Sequence, residues 1–157
     1  MNVSIASIDF LEIITKPSLQ DFYTKPQNYR KMVVAIWATD ALIEHICWEK
    51  YSDQMRADDR AFLEKLANDN INYKTVHEAS NSLKHSVRTG KKSLTKGSNA
   101  IEIRPRGWGE AEYGVDEWNG PPMGLITFLD GRSSSLKFAM ENLEKQWIAR
   151  ELGIDSN

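Results

Sequence analysis

The stretch from about Asn28 to Lys50 contains neither glycine nor proline, and Met32, Val33, Ile36, Trp37, Ile43, Ile46 and Cys47 recur in it at three- and four-residue steps. That spacing predicts one long amphipathic helix. At about 1.5 Å per residue it makes a rod of roughly 33 Å. Such a rod is long enough to be the spine of a small domain, so the rest of the chain is expected to pack on it. The full length of 157 residues suffices for one hydrophobic core without disulfide or metal staples. A single domain spanning 1–157 is expected.

Other segments arrange themselves around that spine. Residues 1–26 read as a short amphipathic lead, with Ile8, Leu11, Glu12 and Thr15 on one helical side and interruptions at Lys16-Pro17 and Lys25-Pro26. Between these, Ser18 to Tyr23 are expected to make two helical turns with Pro17 as a first-turn residue. A second helix is expected over Asp58–Asn68, where Phe62, Leu63 and Leu66 share a side, and the Asn68-Asp69-Asn70 cluster stops it. A third is expected from about Tyr73 to Arg88, with Val76, Ala79, Ser80, Leu83 and Val87 on a thin stripe ending before Gly90. These helices make up a bundle over 27–90.

From Thr89 to Asn99 the chain is rich in Gly, Ser and Lys, which marks a loop, and beyond it the helical period disappears. Ala100–Arg104, which alternates, and Leu125–Leu129 read as strands, Trp108–Val115 as a further strand interrupted by glycine, and Asp130-Gly131 as a hairpin turn. Residues 99–135 are therefore expected to form a β-meander or hairpin. The serines of 133–135 are candidate helix caps for a terminal helix over 136–152, carrying Leu136, Met140, Leu143, Trp147 and Arg150 along one side. The expected fold class is α+β, mainly α: a bundle of three to four helices, a small C-terminal antiparallel sheet and a final helix.

Charge and cysteine content narrow the functional classes. Twenty Lys+Arg against twenty-two Asp+Glu leave a formal net charge of −2, too balanced for strong sequence-independent attraction to nucleic acid or an acidic bilayer. The single cysteine, Cys47, cannot make an intramolecular disulfide and fits a reducing cytoplasm. The opening residues lack the pattern of a signal peptide, and no run approaches the ~18 apolar residues of a membrane helix. A soluble, cytoplasmic protein without a membrane partner is expected.

The richest polar constellation is His77, Asn81, Lys84, His85 and Arg88, whose spacings bring most members onto one side of the third helix. Two imidazoles beside a cation and an amide are suitable for general acid/base work on a phosphodiester, with Lys84 or Arg88 holding the phosphate. The plainer account is a solvated face making salt bridges to neighbouring helices. Asp40 interrupts the apolar stripe of the long helix, where a carboxylate is costly unless paired. Either it pairs with Lys84 or Arg88, or it faces His85 as a base or organiser. Both accounts predict a polar seam between the first and third long helices.

Metal binding is not expected. His77 and His85 are eight residues apart, about 12 Å along a helix, and the chain has no His-x-x-x-His, Glu-x-x-His or Cys-x-x-Cys pattern. His45 reads as a hydrogen-bonded interior or interface histidine, and Cys47 as packing. The Arg104-Pro105-Arg106-Gly107-Trp108-Gly109 segment, with Tyr113 and Trp118, mixes cations and aromatics as single-strand-binding surfaces do. Glu110, Glu112, Asp116 and Glu117 follow at once and oppose a phosphate backbone, so Trp108 and Trp118 are expected to cover the sheet or a subunit contact. No phosphate loop, dinucleotide turn, nucleophile elbow or calcium loop is present, and no cofactor is expected.

Three segments together, Ala35-Ile36-Trp37 through Glu44-His45, Asn81-x-x-Lys84-His85, and Asp130-Gly131 through Trp147, resemble small uncharacterised bacterial or phage proteins with a helical bundle and a C-terminal hairpin plus helix. In general build these are similar to the HEPN superfamily, whose nucleases cut RNA with an Arg-x(4 to 6)-His helix and often act as dimers. Neither His77 nor His85 follows an arginine at that spacing, so the resemblance implies architecture and not a catalytic pair. The leading functional expectation is a binding or assembly module, possible as a homodimer or with another protein partner. One alternative is a small RNA-processing or toxin-like nuclease using His77 and His85 for proton transfer, Lys84 and Arg88 on phosphate, and Asp40 as orienting acid. Another is a phosphate- or nucleotide-binding regulatory module on the same face.

Overall fold

Asn28 starts the spine. Its side chain accepts a hydrogen bond from the Lys31 backbone amide at 3.1 Å, which satisfies one of the donors a helix start leaves open. In the computed structural model, which describes residues 5–85, 87–104 and 123–154, the helix runs Tyr29–Lys50. Met32, Ala35, Ile36, Leu42, Ile43, Ile46 and Cys47 on it are fully buried.

The lead is more helical than its prolines suggest. It comprises α1 (Ser7–Phe10), a π-helical segment Leu11–Thr15 and α2 (Lys16–Thr24), continuous through Pro17 in the first turn of α2. Proline is tolerated there because the widened π-helical turn before it loosens the ladder that its missing amide would otherwise join. With the spine as α3 (Tyr29–Lys50), the lead packs antiparallel. The Ser7 amide donates to Glu49, the Phe10 ring lies 4.7 Å from that of His45, and the Thr15 hydroxyl donates to the Ala38 carbonyl at 3.3 Å.

Next come α4 (Ser52–Asp69) and α5 (Ile71–Lys84). The sequence places the start of α4 at Asp58, and that residue is indeed a break: its φ/ψ of −163/92 is non-helical, and its carboxylate caps Ala61 at 2.9 Å. What precedes it, Ser52 to Ala57, is an additional helical stretch joined across the kink. The Asn70 side chain accepts from the amides of Asn72 and Tyr73 at 3.0 and 3.1 Å, so the polar cluster that stops α4 also starts α5.

A short 3-10 turn, Ser98–Ala100, leads into β1 (Ile101–Arg104), followed by β2 (Met123–Thr127) and β3 (Ser133–Ser135) in an antiparallel sheet of order β1-β2-β3. Ile101 stands opposite Ile126, and Leu125 opposite Ser135. Asp130-Gly131 makes the turn, with Gly131 at φ 86, a left-handed conformation that favours glycine. Gly124 brings the sheet against the bundle so closely that a Cβ there would collide with Met32 Sδ. The chain closes through α6 (Leu136–Asn142), a π-helical segment Leu143–Ile148 and α7 (Ala149–Leu152), ended by left-handed Gly153. Its inner side is the expected one for Leu136, Met140, Leu143 and Trp147, all buried.

One hydrophobic cluster joins the lead, α3, α4, α5, β1, β2 and the terminal helix. Among the described residues the fold is α+β and mostly helical, with a three-stranded antiparallel sheet. Among the described residues no helix is long and apolar enough to cross a membrane. The expected strand at Trp108–Val115, together with Trp108, Tyr113 and Trp118, lies outside the described residues.

Candidate functional site

The expected seam between α3 and α5 exists, with different members from those the spacing proposed. Asp40 is buried at the middle of α3 and pairs with His77 of α5, Oδ1 to Nδ1 at 3.0 Å. Its expected partners Lys84, Arg88 and His85 are not the ones it meets. The reason is height along the rods: capped at Asn70, α5 crosses α3 with His77, one turn after Tyr73, level with Asp40. The Tyr73 hydroxyl sits 3.3 Å from the same ring nitrogen, and the two rings are 5.2 Å apart.

Burial is the largest influence on His77 and pulls its pKa down. The hydrogen bond and charge of Asp40, with Glu78, outweigh it, so the ring's pKa ends above the ordinary value despite Lys84. Burial, reinforced by the Asp40 charge, pushes the Tyr73 phenol far up and keeps it neutral. With Nδ1 protonated toward the carboxylate, Nε2 makes no hydrogen bond among the described residues. This is the arrangement in which an aspartate orients one ring for proton transfer.

Beyond His77 the constellation separates. The third helix ends at Lys84 and not at Arg88, because His85 turns to extended backbone at φ −133, ψ 126. Lys84 and His85 are exposed, and Asn81 is half-buried. Arg88 lies in the following loop and folds back: its guanidinium donates to Glu78 at 2.6 Å and to the Thr95 hydroxyl at 2.9 Å, with only 13% and 12% of the two charged side chains exposed. Thr95 also bonds Ser82. The backbone seals the loop through Arg88 N–H to Lys96 and Leu129 N–H to Leu94. Arg88 thus fastens a loop to α5, with its Nη1 and its charge engaged by Glu78.

Two grooves flank the bundle, and neither includes His77, Lys84, His85 or Arg88. One, of about 380 Å³, is walled by Tyr51, Phe62 and Trp147, with Arg150 and Glu151 at its side. The Tyr51 hydroxyl donates to Glu151 at 3.0 Å. The other, of about 500 Å³, runs between the lead and the first half of α3, bounded by Ile13, Ile14, Pro17, Lys31 and Val34.

The second groove opens onto a feature the sequence reading passed over. Trp37 is counted there with the buried stripe, yet it is 44% exposed, as are Val34 at 43% and Trp48 at 40%. Trp37 follows Ile36 by one residue, which turns it about 100° around the axis, away from the core. Positions 34, 37, 41, 44 and 48 alternate steps of three and four and carry Val, Trp, Ala, Glu and Trp. They form a second apolar stripe, interrupted by Glu44, on the outward side of α3. The signal lies in the sequence of α3 itself: the helix is apolar on two sides, and only one can face a single core.

His45 is half-buried against Phe10, and burial raises the Cys47 thiol to about 12, so it is a packed side chain and not a nucleophile. Among the described residues no group of His, Cys, Asp and Glu has the arrangement of a metal site. Neither protein-family models, curated proteins nor solved structures give a match to this chain.

Proposed function

We propose that this chain is an assembly module that works by presenting the outward side of α3, with the adjoining lead, to a helical partner. The observation that carries this reading is the stripe of exposed Val34, Trp37 and Trp48, with half-buried Ala41 between them, on a helix whose opposite side is fully occupied by the core. Large apolar side chains in register over about four turns have no use in a solvated face. Aromatic residues at such a position are the side chains that anchor interfaces. Alternating three- and four-residue steps are the spacing that knobs-into-holes packing uses.

Ile13 and Ile14, 67% and 38% exposed, extend the same apolar ground onto the lead. The His77 seam gives less support to a nuclease reading. Asp40 holds a single ring, the other candidate imidazole stands beyond the end of α5, and Arg88 is committed to Glu78. A phosphate-binding reading keeps Lys84 and His85 alone, both exposed.

The test is selection from a displayed library of amphipathic helical peptides, followed by affinity measurement on Trp37→Glu. The expected result is binders whose affinity falls about tenfold or more, worth at least ~1.4 kcal/mol, in that variant. Binders that ignore Trp37→Glu, or no binders at all, would remove the reading.

A further inference from the structure

We infer that the helical partner is the α3 of a second copy of this chain, laid antiparallel across a two-fold axis at Ala41. The inference rests on the assembly reading and adds the occupant and its geometry.

Charge fixes the direction. Arg30, exposed near the start of α3, makes no ion pair among the described residues, and neither do Glu44 and Glu49 near its end. A parallel pairing would set Arg30 on Arg30 and Glu44 on Glu44. An antiparallel pairing brings Arg30 within about one turn of the other copy's Glu49 and aligns opposite ends of the two helix dipoles.

Size fixes the axis. Ala41 is the one small side chain at the centre of the stripe, equidistant in sequence from Val34 and Trp48. Helices can approach most closely at a small residue. Crossing there lays each Trp48 over the other copy's Val34 and each Trp37 beside the other copy's Glu44. An isologous contact of this kind is self-closing, so the product is a dimer and not a filament. Glu44 is the position that weakens the seam, because its carboxylate must be partly desolvated beside an indole.

The experiment is sedimentation of the full chain across a concentration series, comparing wild type with Glu44→Leu and Trp37→Glu, together with oxidation of Ala41→Cys. The wild type is expected to be a concentration-dependent dimer, tightened about tenfold by Glu44→Leu and weakened about tenfold by Trp37→Glu. Ala41→Cys should form a disulfide-linked dimer, while the native Cys47, with 0% of its surface exposed, remains reduced. Glu44→Leu changes one exposed residue for a comparably good helix former, so a folding failure of Trp37→Glu leaves the proposal testable. Monomers throughout, Glu44→Leu included, overturn the second copy as occupant; peptide binders sensitive to Trp37→Glu would then still uphold the assembly reading. A dimer indifferent to Glu44→Leu, or one in which Ala41→Cys does not cross-link, overturns this geometry.

Discussion

The two sides of α3 carry similar chemistry and meet different fates. Inward, Ile36, Ile43, Ile46 and Cys47 have no exposed surface, and the lead, α5, α6 and the sheet close around them. Outward, Val34, Trp37 and Trp48 keep roughly two-fifths of theirs. Apolar spacing alone says that a side wants company. It does not say whether that company comes from the same chain, and the connectivity of the remaining elements decides it. With the lead on one flank and α5 behind, no further helix among the described residues lies on the outer stripe.

The sharpest way to break that contrast is to truncate equally on both sides. Ile43→Ala should cost about 2–5 kcal/mol, since the core can only partly collapse onto the cavity. Chemical denaturation measures it as a lowered midpoint at unchanged slope. A loss no larger than that of an outward truncation would mean that the inner stripe is not the core.

The inward side also holds a buried carboxylate, Asp40, that needs a partner, and the pair it makes should respond to pH. Asp40→Ala removes the acceptor from His77 and is expected to cost about 1–3 kcal/mol. Because the His77 pKa in the fold lies above its ordinary 6.5, the charged pair is fully stabilising below that value and fades as pH rises through the raised one. The stability gap between wild type and His77→Gln should therefore be larger near about pH 5.5 than near about pH 9. Thermal melts at the two pH values read it directly, and a gap that is flat or widens with pH would mean that His77 is held neutral.

Much of the fold was legible because it follows from local rules. Glycine-free periodicity fixes α3 to within a residue, Asp130-Gly131 turns the hairpin, and Leu136 through Trp147 give the terminal helix its inner side. Ser133–Ser135 was not legible as a strand: three serines carry no alternation, and they pair with β2 only because the turn delivers them there. Pro17 does sit in the first turn of a helix that covers residues 18–23, but the interruption expected before it is absent, since the π-helical segment Leu11–Thr15 lets the lead continue. For the site, the sequence located the α3–α5 seam but extended α5 four residues too far, to Arg88. Lys84, His85 and Arg88 were placed on a helical face that His85 in fact ends. The hydrogen bonds that end it, Ser98 N–H to the His85 carbonyl and Arg88 to Glu78 and Thr95, include partners ten or more residues away, which no local window contains.

The smallest effect on stability is the most informative about the outer stripe. Trp37→Ser replaces an indole that keeps 44% of its surface exposed, so the monomer should lose no more than ~0.5 kcal/mol, the ordinary cost of a surface change. Measured at low concentration, where a dimer would dissociate, the midpoint should stay with the wild type. At high concentration the wild type alone should gain stability, because association favours the folded state by mass action. A concentration-independent loss of several kcal/mol would instead make Trp37 part of the core, and the two sides of α3 would no longer differ in kind.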